Sequence, residues 1–311
     1  MTVQQQKIWK VLDILDWTTN YFKTKNIEEA RLDAEVLLAK VLGMKRLDLY
    51  LYFERVITPA ERRLYKECVK KRADRIPVAY IINEKEFMGL TIKVNSHVLI
   101  PRPETEILIE QVIDLLKSND SAHEQIVVDV FTGSGNIPVS LAKFVHGIRL
   151  YALDISEQAL LCAQENSVLH GLNHRIHFLK GDVLAPLCLF PFENKIDIIT
   201  ANPPYIKTRE MESLESEIHH EPKHALDGGL DGLEYYEKLI SQSRTYLKDS
   251  GYLVMEISPD LTQDIIKKLN TNNFSDIIIK KDYQGLNRIA IAKKITSTVG
   301  GKGCSEGILT A

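Results

Sequence analysis

The chain has 311 residues and 44% hydrophobic side chains, enough for a full α/β core with a smaller domain beside it. A formal net charge of −3 argues against a protein that grips nucleic acid mainly by neutralising phosphates, so no direct nucleic-acid binding is expected. Four scattered cysteines, Cys68, Cys162, Cys188 and Cys304, form no C-x-x-C pair, Met1 to Lys10 is polar, and no apolar run approaches membrane-spanning length. The expectation is a cytoplasmic protein with reduced thiols, no zinc or other metal site, no signal segment and no membrane span.

Helical patterns dominate up to about Ile76. Ile8, Trp9, Val11, Leu12, Ile14 and Leu15 form one amphipathic stripe, and Leu32, Val36, Leu37 and Val41, stopped by Gly43, form another. Thr58-Pro59-Ala60-Glu61 opens a third helix with an N-cap hydroxyl, a proline at the first helical position and a glutamate that closes a capping box. Its apolar side is Leu64, Tyr65, Cys68 and Val69. Its other side carries Arg62, Arg63, Lys66, Lys70, Lys71, Arg72 and Arg75, which reads as a solvated charged face or as a docking surface for an acidic or RNA-bound partner. Residues 1–75 are assigned to this helical domain.

Val78 to Ile82 and Phe87 to Val94 read as two strands joined by Asn83-Glu84-Lys85, a hairpin linker within 76–100. The segment Ile100-Pro101-Arg102-Pro103-Glu104-Thr105-Glu106 then enters a helix through Ile107, Leu108, Val112, Ile113 and Leu116. Glu104 and Glu106 suit the first turn of that helix, where free amides favour acids; a catalytic-acid role is the weaker reading.

A mostly parallel sheet is expected over 101–294. Ile126 to Val130 is a short apolar strand ending in Phe131-Thr132-Gly133-Ser134-Gly135, and Ile137, Val139, Leu141, Ala142 and Val145 continue as a helix. Glycines at such a junction let backbone amides approach a ligand. Leu150 to Leu153 ends in Asp154, 19 positions after Gly135, the spacing of an acid that accepts ribose hydroxyls in nucleoside-binding folds. Ile176 to Leu179 ends at Gly181-Asp182-Val183, where a carboxylate can receive an adenine amine. The G-x-G-x-x-G pattern of dinucleotide binders is absent. Later strands are Tyr252 to Ile257, Ile277 to Lys280 and Ile289 to Ala292, and the tail from 295 to 311 has no periodic pattern and is expected to be disordered.

Ile196, Ile198 and Ile199 lead to Asn202-Pro203-Pro204-Tyr205 at the end of a fourth buried strand. The Asn202 side-chain oxygen and the Pro203 carbonyl, stiffened by two prolines, make a fixed pair of acceptors suited to a planar amino group, with Tyr205 as a flat neighbour. These four strand ends together resemble Rossmann-like class I S-adenosylmethionine-dependent methyltransferases, in the branch that methylates planar amino nitrogens.

The order of segments is more specifically similar to the HemK/PrmC family, the glutamine methyltransferases of peptide chain release factors. The likeness covers about Ala30 to Ala292. It rests on Ala30 to Glu35, Ile100 to Glu106, Asn202-Pro203-Pro204-Tyr205-Ile206, and Glu221-Pro222 through Ala225-Leu226 to Asp231-Gly232-Leu233. The resemblance implies a helical domain that helps grip the release factor and a methyltransferase domain that receives the Gln of its Gly-Gly-Gln loop. It further implies that Phe131 to Gly135 line the methionine part of the cofactor, Asp154 binds ribose, Asp182 and Val183 flank adenine, and Asn202 and Pro203 orient the substrate amide beside Pro204 and Tyr205. Phe87 becomes either a wall of the substrate pocket or an ordinary inward-facing strand residue.

Three positions depart from the family pattern. Phe131 stands where a glycine is usual, Ala79 replaces a glutamine before Tyr80, and Met255 to Pro259 lacks a customary glycine. If residue 131 needs positive φ, its side chain is a cost to cofactor binding; if extended, the ring packs. The residues leave other acceptors open: a ribosomal-protein glutamine, an exocyclic amine of adenine or cytosine in nucleic acid, or none, in a binding protein of the translation machinery.

Overall fold

The computed structural model describes residues 8–118 and 124–295; the expectation for the tail beyond Ile295 lies outside them. The helical region contains α1 (Val11–Thr24), α2 (Ala30–Leu42), α3 (Asp48–Leu51), α4 (Pro59–Ala73) and α5 (Val78–Ile82). Helix α2 ends at Gly43 in the left-handed region (φ 64°). At the start of α4 the capping box forms as read: the Glu61 amide donates to Thr58 Oγ1 (3.2 Å) and the Thr58 amide to Glu61 Oε2 (2.9 Å). Phe22, Leu37, Leu38 and Tyr65 fill the bundle, and the Tyr65 hydroxyl is satisfied by the Ala34 carbonyl at 3.0 Å.

The linker differs from its sequence reading. Val78 to Ile82 is helical, not a strand: the Pro77 carbonyl accepts from the Tyr80 and Ile81 amides, Ile81 packs into the bundle, and Asn83, left-handed at φ 57°, stops the turn. Bundle packing overrides the β propensity of Val and Ile. The hairpin is β1 (Glu84–Phe87) with β2 (Leu90–Lys93). It turns at Met88-Gly89, both at positive φ (51° and 69°), the backbone of a two-residue hairpin loop whose twist matches its strands.

The remainder is α6 (Glu104–Ser118), β3 (Gln125–Val130), α7 (Asn136–Phe144), β4 (Ile148–Asp154), α8 (Glu157–Leu169), β5 (Ile176–Lys180), β6 (Ile196–Ala201), α9 (Glu234–Tyr246), β7 (Leu247–Glu256), α10 (Thr262–Thr271), β8 (Phe274–Lys281) and β9 (Asn287–Lys294). Seven strands form one sheet in the order β5-β4-β3-β6-β7-β9-β8. Strand β9 runs antiparallel to both neighbours, and the β5-to-β7 pairings are parallel. Alternate residues of each buried strand enter opposite layers. Val127, Ile198 and Val254 face α6, α7 and α8, and Val128, Ile199 and Leu253 face α9 and α10, as a sheet covered on both faces requires.

From β3 the chain moves outward to β4 and β5, then returns to lay β6 on the other side of β3. The C-terminal ends of β3 and β6 therefore flank a crevice, the place where open α/β sheets bind ligands.

Arg72 and Arg75 are not part of a solvated face. Arg72 is buried, with Nε 2.6 Å from Asp33 and Nη1 2.9 Å from Glu217, and Arg75 also reaches Glu217 at 3.1 Å. Glu217 lies on the segment between β6 and α9, so these contacts fasten the helical bundle to the loops over the crevice. Removing one member of a buried ion pair strands its partner. Arg72→Ala is expected to lower unfolding stability by about 3 kcal/mol in a denaturant titration, with part recovered when Asp33→Asn is added; a loss no larger than an exposed pair gives would refute the assignment.

Candidate functional site

Three strand ends build the first half of the site. After β3, Phe131, Gly133 and Gly135 all adopt positive φ (62°, 53° and 76°). Gly135 has no room for a side chain: a Cβ there would sit 2.8 Å from Ala163 Cβ on α8. The loop is held from the end of β4, where Asp154 Oδ2 accepts from the Gly133 amide and Oδ1 from the Ser156 amide, both at 2.9 Å. Burial pushes the Asp154 carboxyl up, against the pull of the Ser156 and Gly133 amides. Each carboxylate oxygen has a further acceptor direction to offer a ligand hydroxyl. After β5, exposed Asp182 and buried Val183 (φ 49°) follow Gly181, which is close-packed on Pro186.

The side chains or backbone of Phe131 to Ser134, Asp154, Asp182, Val183, Asn202 and Pro204 line one cleft. Gly135 shapes its loop. S-adenosylmethionine fits this lining: an acid with spare acceptor directions at the β4 end, an acid beside an apolar neighbour at the β5 end, and a tight positive-φ loop whose backbone borders the cleft.

Phe131 takes the positive-φ alternative, at a position where a side chain is strained by about 1–2 kcal/mol. Its ring packs edge-on against Tyr235, centroids 5.5 Å apart, offsetting part of that cost. Phe131→Gly is expected to be more stable than Phe131→Ala by on the order of 1 kcal/mol, because both lose the ring and only alanine keeps the strain. Equal melting temperatures for the two variants would contradict this.

A second cavity shares Asn202 with the first and is lined by Pro203, Tyr205, Leu99, Arg102 and Glu256 among others. Asn202, Arg102, Leu99 and Ala225 belong to both. Asn202 thus stands where the two cavities meet. Tyr205 is half-buried, and its hydroxyl is pushed to higher pKa by burial. Glu221 closes the wall by accepting from the Ile100 amide (3.0 Å) and from Arg102, which brings the Ile100-to-Glu106 and Glu221-Pro222 segments together.

Comparisons with known proteins show the family to which the chain belongs. A profile of the PrmC N-terminal domain matches residues 13–82, and one of the methyltransferase small domain matches residues 105–283. The release factor glutamine methyltransferase of Geobacter sulfurreducens is 34% identical over 287 residues, covering 92% of this chain and 97% of its own length. That of Rhodopirellula baltica is 37% identical over 290 residues, with 92% and 97% covered. The chain belongs to the release factor glutamine methyltransferase family. Among solved structures, the hMettl16 catalytic domain in complex with MAT2A 3'UTR hairpin 1 superimposes with a TM-score of 0.55 at 17% identity, covering 79% of this chain and 85% of that one, a likeness of fold.

Within this family member, Phe87 departs from the pocket-wall reading. It is buried in the core with Ile92 and Leu108 and lines neither cavity, because β1 turns it inward. Glu106 anchors the hairpin turn: its Oε1 accepts from the Met88 amide at 2.7 Å. Sequence reasoning missed Thr105, Glu256 and Tyr235. Thr105 lay inside the quoted Ile100-to-Glu106 segment, and Glu256 at a strand end was the available signal for a buried acid. No helix among the described residues is long and apolar enough to cross a membrane, and no cluster of metal-binding side chains occurs among them.

Proposed function

We propose that this protein transfers the methyl group of S-adenosylmethionine to the side-chain nitrogen of the glutamine in the Gly-Gly-Gln loop of a peptide chain release factor. The observation that carries the reading is Asn202 at the meeting of two cavities, in a chain that matches glutamine methyltransferases over nearly their whole length. When bound, the cofactor supplies an electrophilic methyl group on a sulfonium. Phe131 to Ser134, Asp154, Asp182 and Val183 hold it. In the second cavity Asn202 Oδ1 and the Pro203 carbonyl accept the two N–H bonds of the glutamine amide, and Pro204 and Tyr205 fix the turn that carries them.

An amide nitrogen is a weak nucleophile because its lone pair is delocalised. Placement is therefore the main contribution: a near-attack arrangement supplies on the order of 7–11 kcal/mol in favourable cases. The paired acceptors also stabilise the positive character that grows on nitrogen. The helical bundle, fastened to the crevice loops through Arg72 and Glu217, is the second grip on the release factor. Nucleic acid is not a direct acceptor in this reading.

The test is a competition for labelled methyl groups between purified release factor, DNA and RNA. Label on the factor supports the reading; label on nucleic acid alone overturns it.

A further inference from the structure

We propose that Thr105 and Glu256 are positioning residues that turn the Asn202 amide so that its oxygen, not its nitrogen, meets the acceptor nitrogen. The inference deepens the reading of Asn202 given above and rests on it. Asn202 Nδ2 donates to Thr105 Oγ1 at 3.3 Å, and Thr105 Oγ1 donates to Glu256 Oε2 at 2.6 Å. Thr105 and Glu256 are only 2% and 1% exposed. They stand 151 positions apart in sequence and meet because α6 packs on β7.

The direction of the chain follows from counting hydrogens. A threonine hydroxyl has one. Spent on an ionised carboxylate, which makes the stronger, charge-assisted bond, it leaves only lone pairs for Asn202. The amide must then face Thr105 with its NH₂, and Oδ1, which has no hydrogen-bond partner among the described residues, is left for the cavity side. If Glu256 takes up a proton, it donates to Thr105 and the chain can run the other way. Thr105 then favours the amide oxygen, and the rotated Asn202 presents N–H bonds to an incoming NH₂ group, donor against donor.

The charged and titratable groups around Glu256 are Arg102 and Glu104 at the entry to α6, Arg288 on β9, Tyr205 and, on α9, Tyr236, whose hydroxyl donates to the Glu256 carbonyl at 3.0 Å. Burial pushes the Glu256 carboxyl up to about 7, with Thr105, Arg288 and Arg102 pulling it down and Glu104 pushing it up. The reversal therefore falls near neutral pH, with the productive orientation on the alkaline side.

The test has one arm that needs no acceptor. In the substrate-free protein, the Asn202 side-chain NH₂ resonances are expected to move as pH passes through about 7 and to stay fixed in Glu256→Gln; resonances that stay fixed in the parent protein, or move equally in the variant, overturn the proposal whatever the acceptor is. In the kinetic arm, Thr105→Val is expected to lower kcat for methyl transfer about tenfold, the worth of one hydrogen bond, with cofactor affinity by calorimetry within about twofold on the same scale. Thr105→Ser, which restores the hydroxyl, is expected to return most of that rate. Serine as slow as valine, or valine as fast as the parent, overturns it.

Discussion

Asn202→Ala is expected to lower kcat for methyl transfer about 100- to 1,000-fold, the usual effect of deleting one preorganised group that meets developing charge. Cofactor affinity is expected to change by less than about threefold, because the acid and loop contacts of the first cavity remain. The split follows from position. Asn202 lies between the cavities, and in the proposed reaction its Oδ1 is one of the two acceptors that hold the planar NH₂. Pro203 supplies the other from a backbone that proline keeps from relaxing. Alanine preserves the turn and removes one acceptor, so the amide binds in a wider range of poses and the near-attack fraction falls. Single-turnover kinetics with calorimetry checks both halves. Parent-like turnover would remove Asn202 from the reaction; a collapse of cofactor binding would make it a cofactor ligand first.

Asp154→Ala is expected to give the opposite split, with S-adenosylmethionine binding weakened by about 100-fold or more. The carboxylate accepts the Gly133 and Ser156 amides, and hydrogen bonds to a charged group are worth roughly 1.5–3 kcal/mol each. Its removal would take away the proposed ribose acceptor and free the positive-φ loop in one step. Asp154→Asn, which keeps one acceptor oxygen, should fall between. In the parent, binding is expected to weaken as pH falls, because burial lifts this carboxyl above its ordinary range and a protonated acid can no longer accept on every side. Calorimetric affinities unchanged in Asp154→Ala would refute the placement.

The strand-end motifs were legible in the sequence because each is local. Gly133 and Gly135, Asp154, Asp182 and Asn202 each follow an apolar run, and the fold only has to set those runs side by side. The hairpin was less legible: Val78 to Ile82 has strand-like composition, and only its packing on the bundle makes it helical. Arg72 shows the same limit. Its neighbours on α4 predict a charged surface, and its burial depends on Asp33 and Glu217, 39 and 145 positions away. The chain from Asn202 through Thr105 to Glu256 is harder still to read, since no periodicity links three residues on different elements.

Glutamine methylation is best tested by mapping the modified site. Purified release factor is incubated with this protein and S-adenosylmethionine, digested, and read by tandem mass spectrometry. A single added methyl group is expected on the side-chain amide of the Gly-Gly-Gln glutamine, absent when that glutamine is changed to alanine. An unmodified glutamine beside a methyl group elsewhere on the factor, or on nucleic acid in the same reaction, would contradict it.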